Sequence, residues 1–186
     1  MTGFAAVWAL HRRGFNPIGY DLRGTGAPNW VRFHSLPESK RYADTAEERA
    51  ILLERNRTLA AVVLGDGPCW IVQSHWPDAT PRDAREAFRA ARDLGLEYAF
   101  DFLPSVADGI WSAHAGLTTW SASASDDLIL SIADDRAAPT VWMSAVNGAV
   151  FAPYDGGVDL FLASAEEVAR LKATYADWLS DHPEGL

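Results

Sequence analysis

A chain of 186 residues that is 48% hydrophobic, with eight Trp, eight Phe and five Tyr, has enough apolar mass for one folded domain over residues 1–186 and is not composed like a disordered segment. A net charge of −9 excludes broad nucleic-acid binding, which rests on neutralising many phosphates, and a lone cysteine, Cys69, excludes an intrachain disulfide and fits a reducing compartment. No apolar run approaches the roughly 20 residues that span a bilayer, and the basic pair Arg12-Arg13 follows the apolar start instead of preceding it as in a secretory leader, so the expected setting is cytoplasmic, away from membrane.

Phe4, Val7, Trp8 and Leu10 predict an opening helix over residues 3–13, ended by Gly14 and Pro17. Residues 18–28, with Gly19, Gly24, Gly26 and Pro28, read as a loop. Trp30, Arg32 and His34 then alternate with Val31 and Phe33, a strand pattern. The capping box Thr45-Ala-Glu-Glu48 opens a helix to about Leu64; Leu52, Leu59 and Val63 share its apolar face and Asn56 interrupts it, which predicts that the buried amide braces a neighbouring loop. Residues 69–75 read as a strand, and Thr80-Pro81 starts a charged helix to about Leu94, closed by Gly95.

Leu96 to Phe102 and residues 109–120 suit two further strands, and Ser125 is the expected cap of a helix to about Asp135. Residues 140–146, the turn Asn147-Gly148, Ala149–Ala152, the turn Pro153–Gly157 and Val158–Leu162 make a β-meander. Ser164-Ala-Glu-Glu167 caps a last helix with Val168, Leu171, Tyr175, Trp178 and Leu179 along one stripe. The expected class is therefore α+β: an antiparallel or mixed twisted sheet with helices packed on it, closing with a meander and a C-terminal helix.

The charge is unevenly spread. Residues 1–92 hold thirteen Lys/Arg against ten Asp/Glu, whereas residues 93–186 hold three against fifteen. Within the first stretch Arg32, His34, Lys40, Arg41 and Tyr42 gather around one strand and the loop after it. A guanidinium fork beside an ammonium and a phenol suits a carboxylate or phosphate, so these five are the candidate ligand-binding residues. The bland alternative pairs Arg32 with an acidic side chain of the second half; Arg32→Ala would then unfold the protein instead of only removing a ligand.

His34, His75 and His114 each fall in a strand and would converge on a metal or act as a base if those strands were neighbours. No local spacing such as H-x-x-x-H supports a metal, and none is expected. Asp155 and Asp159 flank Gly156-Gly157, where two carboxylates could hold a divalent cation, although Asp155 commonly closes such a turn itself. Gly24-Thr25-Gly26 lacks the Lys-Ser/Thr pair of a phosphate loop, and Cys69 in an apolar strand reads as inert core.

Two segments carry a resemblance. Trp30-Val-Arg-Phe-His-Ser-Leu-Pro-Glu-Ser-Lys-Arg-Tyr42 resembles the N-terminal signature of a bacterial family of about this length. Pro153-Tyr-Asp-Gly-Gly-Val-Asp159 and Tyr175-Ala-Asp-Trp-Leu-Ser-Asp-His-Pro-Glu-Gly-Leu186 are similar to its C-terminal signature. The family is a domain of unknown function; the resemblance implies one α+β domain and assigns no catalytic residue.

The expected function is a binding or interaction protein, of immunity or accessory type, that recognises an anionic ligand or a protein partner through the Trp30–Tyr42 surface, with no cofactor. The alternative is a hydrolase or lyase on an anionic substrate with His34 or Asp155 as base. A third reading, a homodimer through the opening helix, predicts an exposed apolar surface at Phe4, Val7 and Trp8.

Overall fold

The computed structural model describes residues 3–76, 89, 91–105 and 109–179. Among them seven strands form one open sheet: β1 (Trp30–His34), β2 (Pro68–His75), β3 (Glu97–Phe102), β4 (Trp111–Thr119), β5 (Thr140–Ser144), β6 (Val150–Tyr154) and β7 (Gly157–Phe161). The order is β1-β7-β6-β5-β2-β4-β3, and every neighbouring pair is antiparallel. The class is α+β, and the sheet takes the antiparallel form of the two that were expected.

Five labelled helices pack on it: α1 (Gly3–His11), α2 (Gly19–Gly24), α3 (Ala46–Leu64), α4 (Ala122–Ala133) and α5 (Ala165–Thr174). Because side chains alternate along a strand, the sheet feeds two cores. On one face Leu52 and Leu59 of α3, Ile129 of α4 and Leu171 of α5 cover Phe33, Trp142, Phe151 and Leu160. On the other, Phe4 and Trp8 of α1 and Leu22 of α2 cover Val72, Met143 and Phe161. Each such side chain, fully buried, stabilises the fold by about 1.5–3 kcal/mol.

This second core is where Phe4 and Trp8 go: both are buried, and Val7 packs partly against the same cluster. The apolar helix face that a homodimer was expected to use is thus occupied within the chain. Arg12, also buried, pins the end of α1 by donating to the carbonyls of Gly148 (3.0 Å) and Phe161 (2.7 Å).

Both capping boxes form: Thr45 and Ser164 each accept from the backbone N–H three residues on, and Glu48 and Glu167 reach back. Asn56 braces the loop after β1, donating to Ser35 Oγ at 3.1 Å. The stripe Val168, Leu171, Tyr175, Trp178 and Leu179 meets the first core.

Three local expectations are corrected. Residues 18–28 contain helix α2 despite their glycines, because Leu22 is buried and Asp21 is held by tertiary donors: Ser105 N–H (2.7 Å), the Ser105 hydroxyl and Asn16 Nδ2 (2.7 Å). Helix α4 starts after Ser121, not Ser125. Pro153 and Tyr154 continue β6 instead of forming the turn, which shrinks to Asp155-Gly156. Proline fits there because the β5 pairing of β6 spans only Val150 and Phe151, so no ladder bond to β5 is lost at Pro153. Most of the helix expected from Thr80 to Leu94, and the chain beyond Leu179, lie outside the described residues.

Candidate functional site

The pairing of β1 with β7 sets Arg32 opposite Asp159, and that of β7 with β6 sets Asp159 opposite Ala152. Asp159 is 1% exposed. A carboxylate so buried requires compensation, and four donors from three residues give it. Arg32 forks onto it through Nε (2.9 Å) and Nη2 (3.0 Å), the Trp30 indole donates at 2.9 Å, and Arg23 of α2 adds Nη1 at 3.2 Å. Burial still pushes the Asp159 carboxyl above its ordinary range, against the downward pull of Arg32 and Trp30.

The guanidinium of Arg32 also lies 4.6 Å from the Tyr154 ring centroid and 5.8 Å from that of Trp30, so two aromatic faces and one carboxylate fix its orientation. Close approach of β1 and β7 requires Gly157: a Cβ there would stand 2.3 Å from the Phe33 carbonyl oxygen.

Above this floor is a cleft of about 580 Å³. Tyr20 and Arg23 of α2 form one side, and Ile132, Asp135 and Ala137–Thr140, from α4 and the connection to β5, form another. Arg32 and His34 come from β1, Tyr154 and Asp155 from the end of β6, and Ser39 and Arg41 from the segment after β1. Burial raises the Tyr154 hydroxyl well above the ordinary phenol range, with Asp159 and Asp155 adding to the effect, so it remains protonated. That segment carries two consecutive non-glycine residues at positive φ, Glu38 and Ser39, both at 57°. Such strain is characteristic of constrained functional segments.

The five candidate ligand-binding residues divide. Arg32, His34 and Arg41 line the cleft. Lys40 turns to Glu48 (2.6 Å) and Asp44 (2.9 Å), joining the cap of α3. Tyr42 donates to Asp155 Oδ2 at 3.1 Å, the same oxygen that accepts Arg41 Nε at 2.6 Å. Each of the three cations therefore has a carboxylate partner, and Arg32 takes the ion-paired role that the sequence left open, with Asp159 as the acid from the second half. Asp155 and Asp159 do not share a cation site: each answers a different arginine.

The three histidines do not converge. His75 and His114 meet across β2 and β4 with ring centroids 5.2 Å apart, while His34 sits on β1, four strand positions from β2. Among the described residues no group of His, Cys, Asp or Glu is arranged to hold a metal ion. Cys69 is buried, and burial raises its thiol above the ordinary range, as suits inert core.

Sequence reasoning missed Arg23, Tyr20 and Tyr154. The first two were hidden by reading residues 18–28 as loop, and the third by reading it as turn. Alternation at the end of β6, with Ala152 and Tyr154 on one face, is the signal that exposes Tyr154.

Fold and site together define an antiparallel open-sheet α+β protein with a cleft at one end of the sheet, floored by two arginines on the buried carboxylate of Asp159. The chain belongs to the family described as Domain of unknown function (DUF3885), which matches residues 18–183 and so takes in every cleft residue. No curated protein and no solved structure matches it. Among the described residues no helix is long and apolar enough to cross a membrane.

Proposed function

We propose that the protein binds a small anionic ligand in the cleft beside β1, with Arg23, Arg32 and Arg41 as the recognising groups. The observation that carries this reading is the charge of the floor. Two guanidiniums share one buried carboxylate, so Arg23, Asp159 and Arg32 together hold one positive charge in excess. A guanidinium has five N–H donors; Asp159 takes two from Arg32 and one from Arg23, and the rest suit an incoming oxygen. Asp159 thus acts as a preorganising anchor that holds the forks in place before a ligand arrives. His34, Ser39 and Tyr154 add further polar groups to the same cleft.

The binding reading is preferred to hydrolysis with Asp155 as base, because Asp155 Oδ2 already accepts from both Arg41 and Tyr42. The test is nitrogen-edited NMR of the Trp30 indole, whose N–H donates to Asp159. Acetate, succinate, inorganic phosphate and 3-phenylpropanoate are each titrated in. Saturable shifts with at least one anion are expected in the native protein and are lost in Arg23→Ala. If none of the four produces a saturable shift, the reading is wrong.

A further inference from the structure

We infer that the ligand class of this cleft is a monocarboxylate carrying an apolar body, rather than an inorganic or polyvalent anion; this rests on the anion-binding reading above. Three independent features carry it. The first is the charge count of the lining. The floor network holds one net positive charge, Arg41 and Asp155 cancel each other, and Asp135, also in the lining, adds a negative charge whose field reaches Arg41 and Tyr42. Among the Arg, Asp and Glu side chains of the lining, one anionic charge is compensated at the floor, and a second would meet the opposing charge of Asp135.

The second feature is the walls. Ile18, Ile132, Pro139 and Ala152 line the same cleft as the arginines. Apolar surface next to a fixed polar end is how pockets select amphipathic ligands: the walls give affinity and the few polar groups give orientation. The third is volume. A cleft of about 580 Å³ lies in the range that holds a molecule of drug-like size, and a bare phosphate or acetate leaves most of it wet.

The donor chemistry agrees. A carboxylate is planar and matches a guanidinium fork in two parallel hydrogen bonds, and Tyr154, kept protonated by burial, contributes a hydroxyl donor. The ring of Tyr154 is already committed to Arg32 at 4.6 Å, which leaves Tyr20 and the aliphatic side chains as the surface for the ligand body.

The experiment compares dissociation constants in the folded, full-length chain for 3-phenylpropanoate, its neutral analogue 3-phenylpropanamide, acetate and inorganic phosphate. Binding is read at the Trp30 indole and by calorimetry. The expected result is that 3-phenylpropanoate binds at least ten-fold tighter than each of the other three. The Tyr20→Ala variant is expected to lose most of that advantage while its acetate affinity is unchanged. Phosphate or acetate binding as tightly as 3-phenylpropanoate overturns the ligand class and leaves the anion site standing. Equal binding of the neutral amide, or no saturable binding by any probe, overturns both.

Discussion

Two buried polar clusters lie on opposite faces of the sheet, and they oppose the cost of burial to different extents. At Asp159 burial is opposed by two guanidiniums and an indole, which all favour the charged carboxylate. At His75 and His114 burial meets weaker opposition. Desolvation, with His114 adding repulsion, pushes His75 down to about 4, and desolvation also lowers His114. The same low dielectric disfavours the charged form at both clusters, and the counter-charges built around Asp159 oppose it far more than Asp101 does at His114. The carboxylate cluster borders the cleft, and the histidine pair does not line it.

The sharpest way to break this contrast is to remove the anchor. Asp159→Ala leaves Arg32 buried without its partner and is expected to cost about 3–5 kcal/mol in urea unfolding. A cost near zero would mean that the network is not what holds β1 to β7. Next is the histidine pair. The folded-state value of His75 lies below the unfolded one, so its contribution to stability is flat above about pH 6.5 and declines toward pH 4, as the unfolded chain takes up a proton that the folded chain refuses.

That decline is expected to be about 3 kcal/mol. His75→Phe removes most of it, as read from the difference in urea midpoints between variant and native protein at neutral and acid pH. Equal acid sensitivity in the two proteins would place the charge expulsion elsewhere. Thr45→Ala, which deletes the α3 cap, is expected to cost about 1 kcal/mol by the same measurement.

Arg23→Ala separates binding from stability. Its side chain is 30% exposed, so the expected stability change is within about 1 kcal/mol, while anion binding is lost. The smallest expected effect is that of Arg41→Ala. Arg41 is exposed, and its pair with Asp155 is screened by solvent, so the urea midpoint is expected to be unchanged.

Much of the scaffold was legible because it is written in short-range patterns. The alternation of Trp30, Arg32 and His34 against Val31 and Phe33 gives the correct faces of β1, and Thr45 and Ser164 mark helix starts through spacing alone. Asn56 stood out as a polar break in an apolar stripe and does brace Ser35. What stayed hidden depends on long-range pairing. Arg32 and Asp159 are 127 residues apart, and only the β1–β7 register joins them. Helix α2 was invisible for a related reason. Its glycines argue for a loop, and the forces that override them, burial of Leu22 and the donors to Asp21 from Asn16 and Ser105, belong to the tertiary structure.

The first strand of the sheet hydrogen-bonds to the last, and this has a bearing on synthesis. A ribosome delivers residues 30–34 long before residues 157–161, so during translation β1 has no partner strand and Arg32 has no acid to bind. The pocket floor can close only after nearly the whole polypeptide has emerged, and a fragment truncated before Asp159 lacks the floor altogether, however well its helices form.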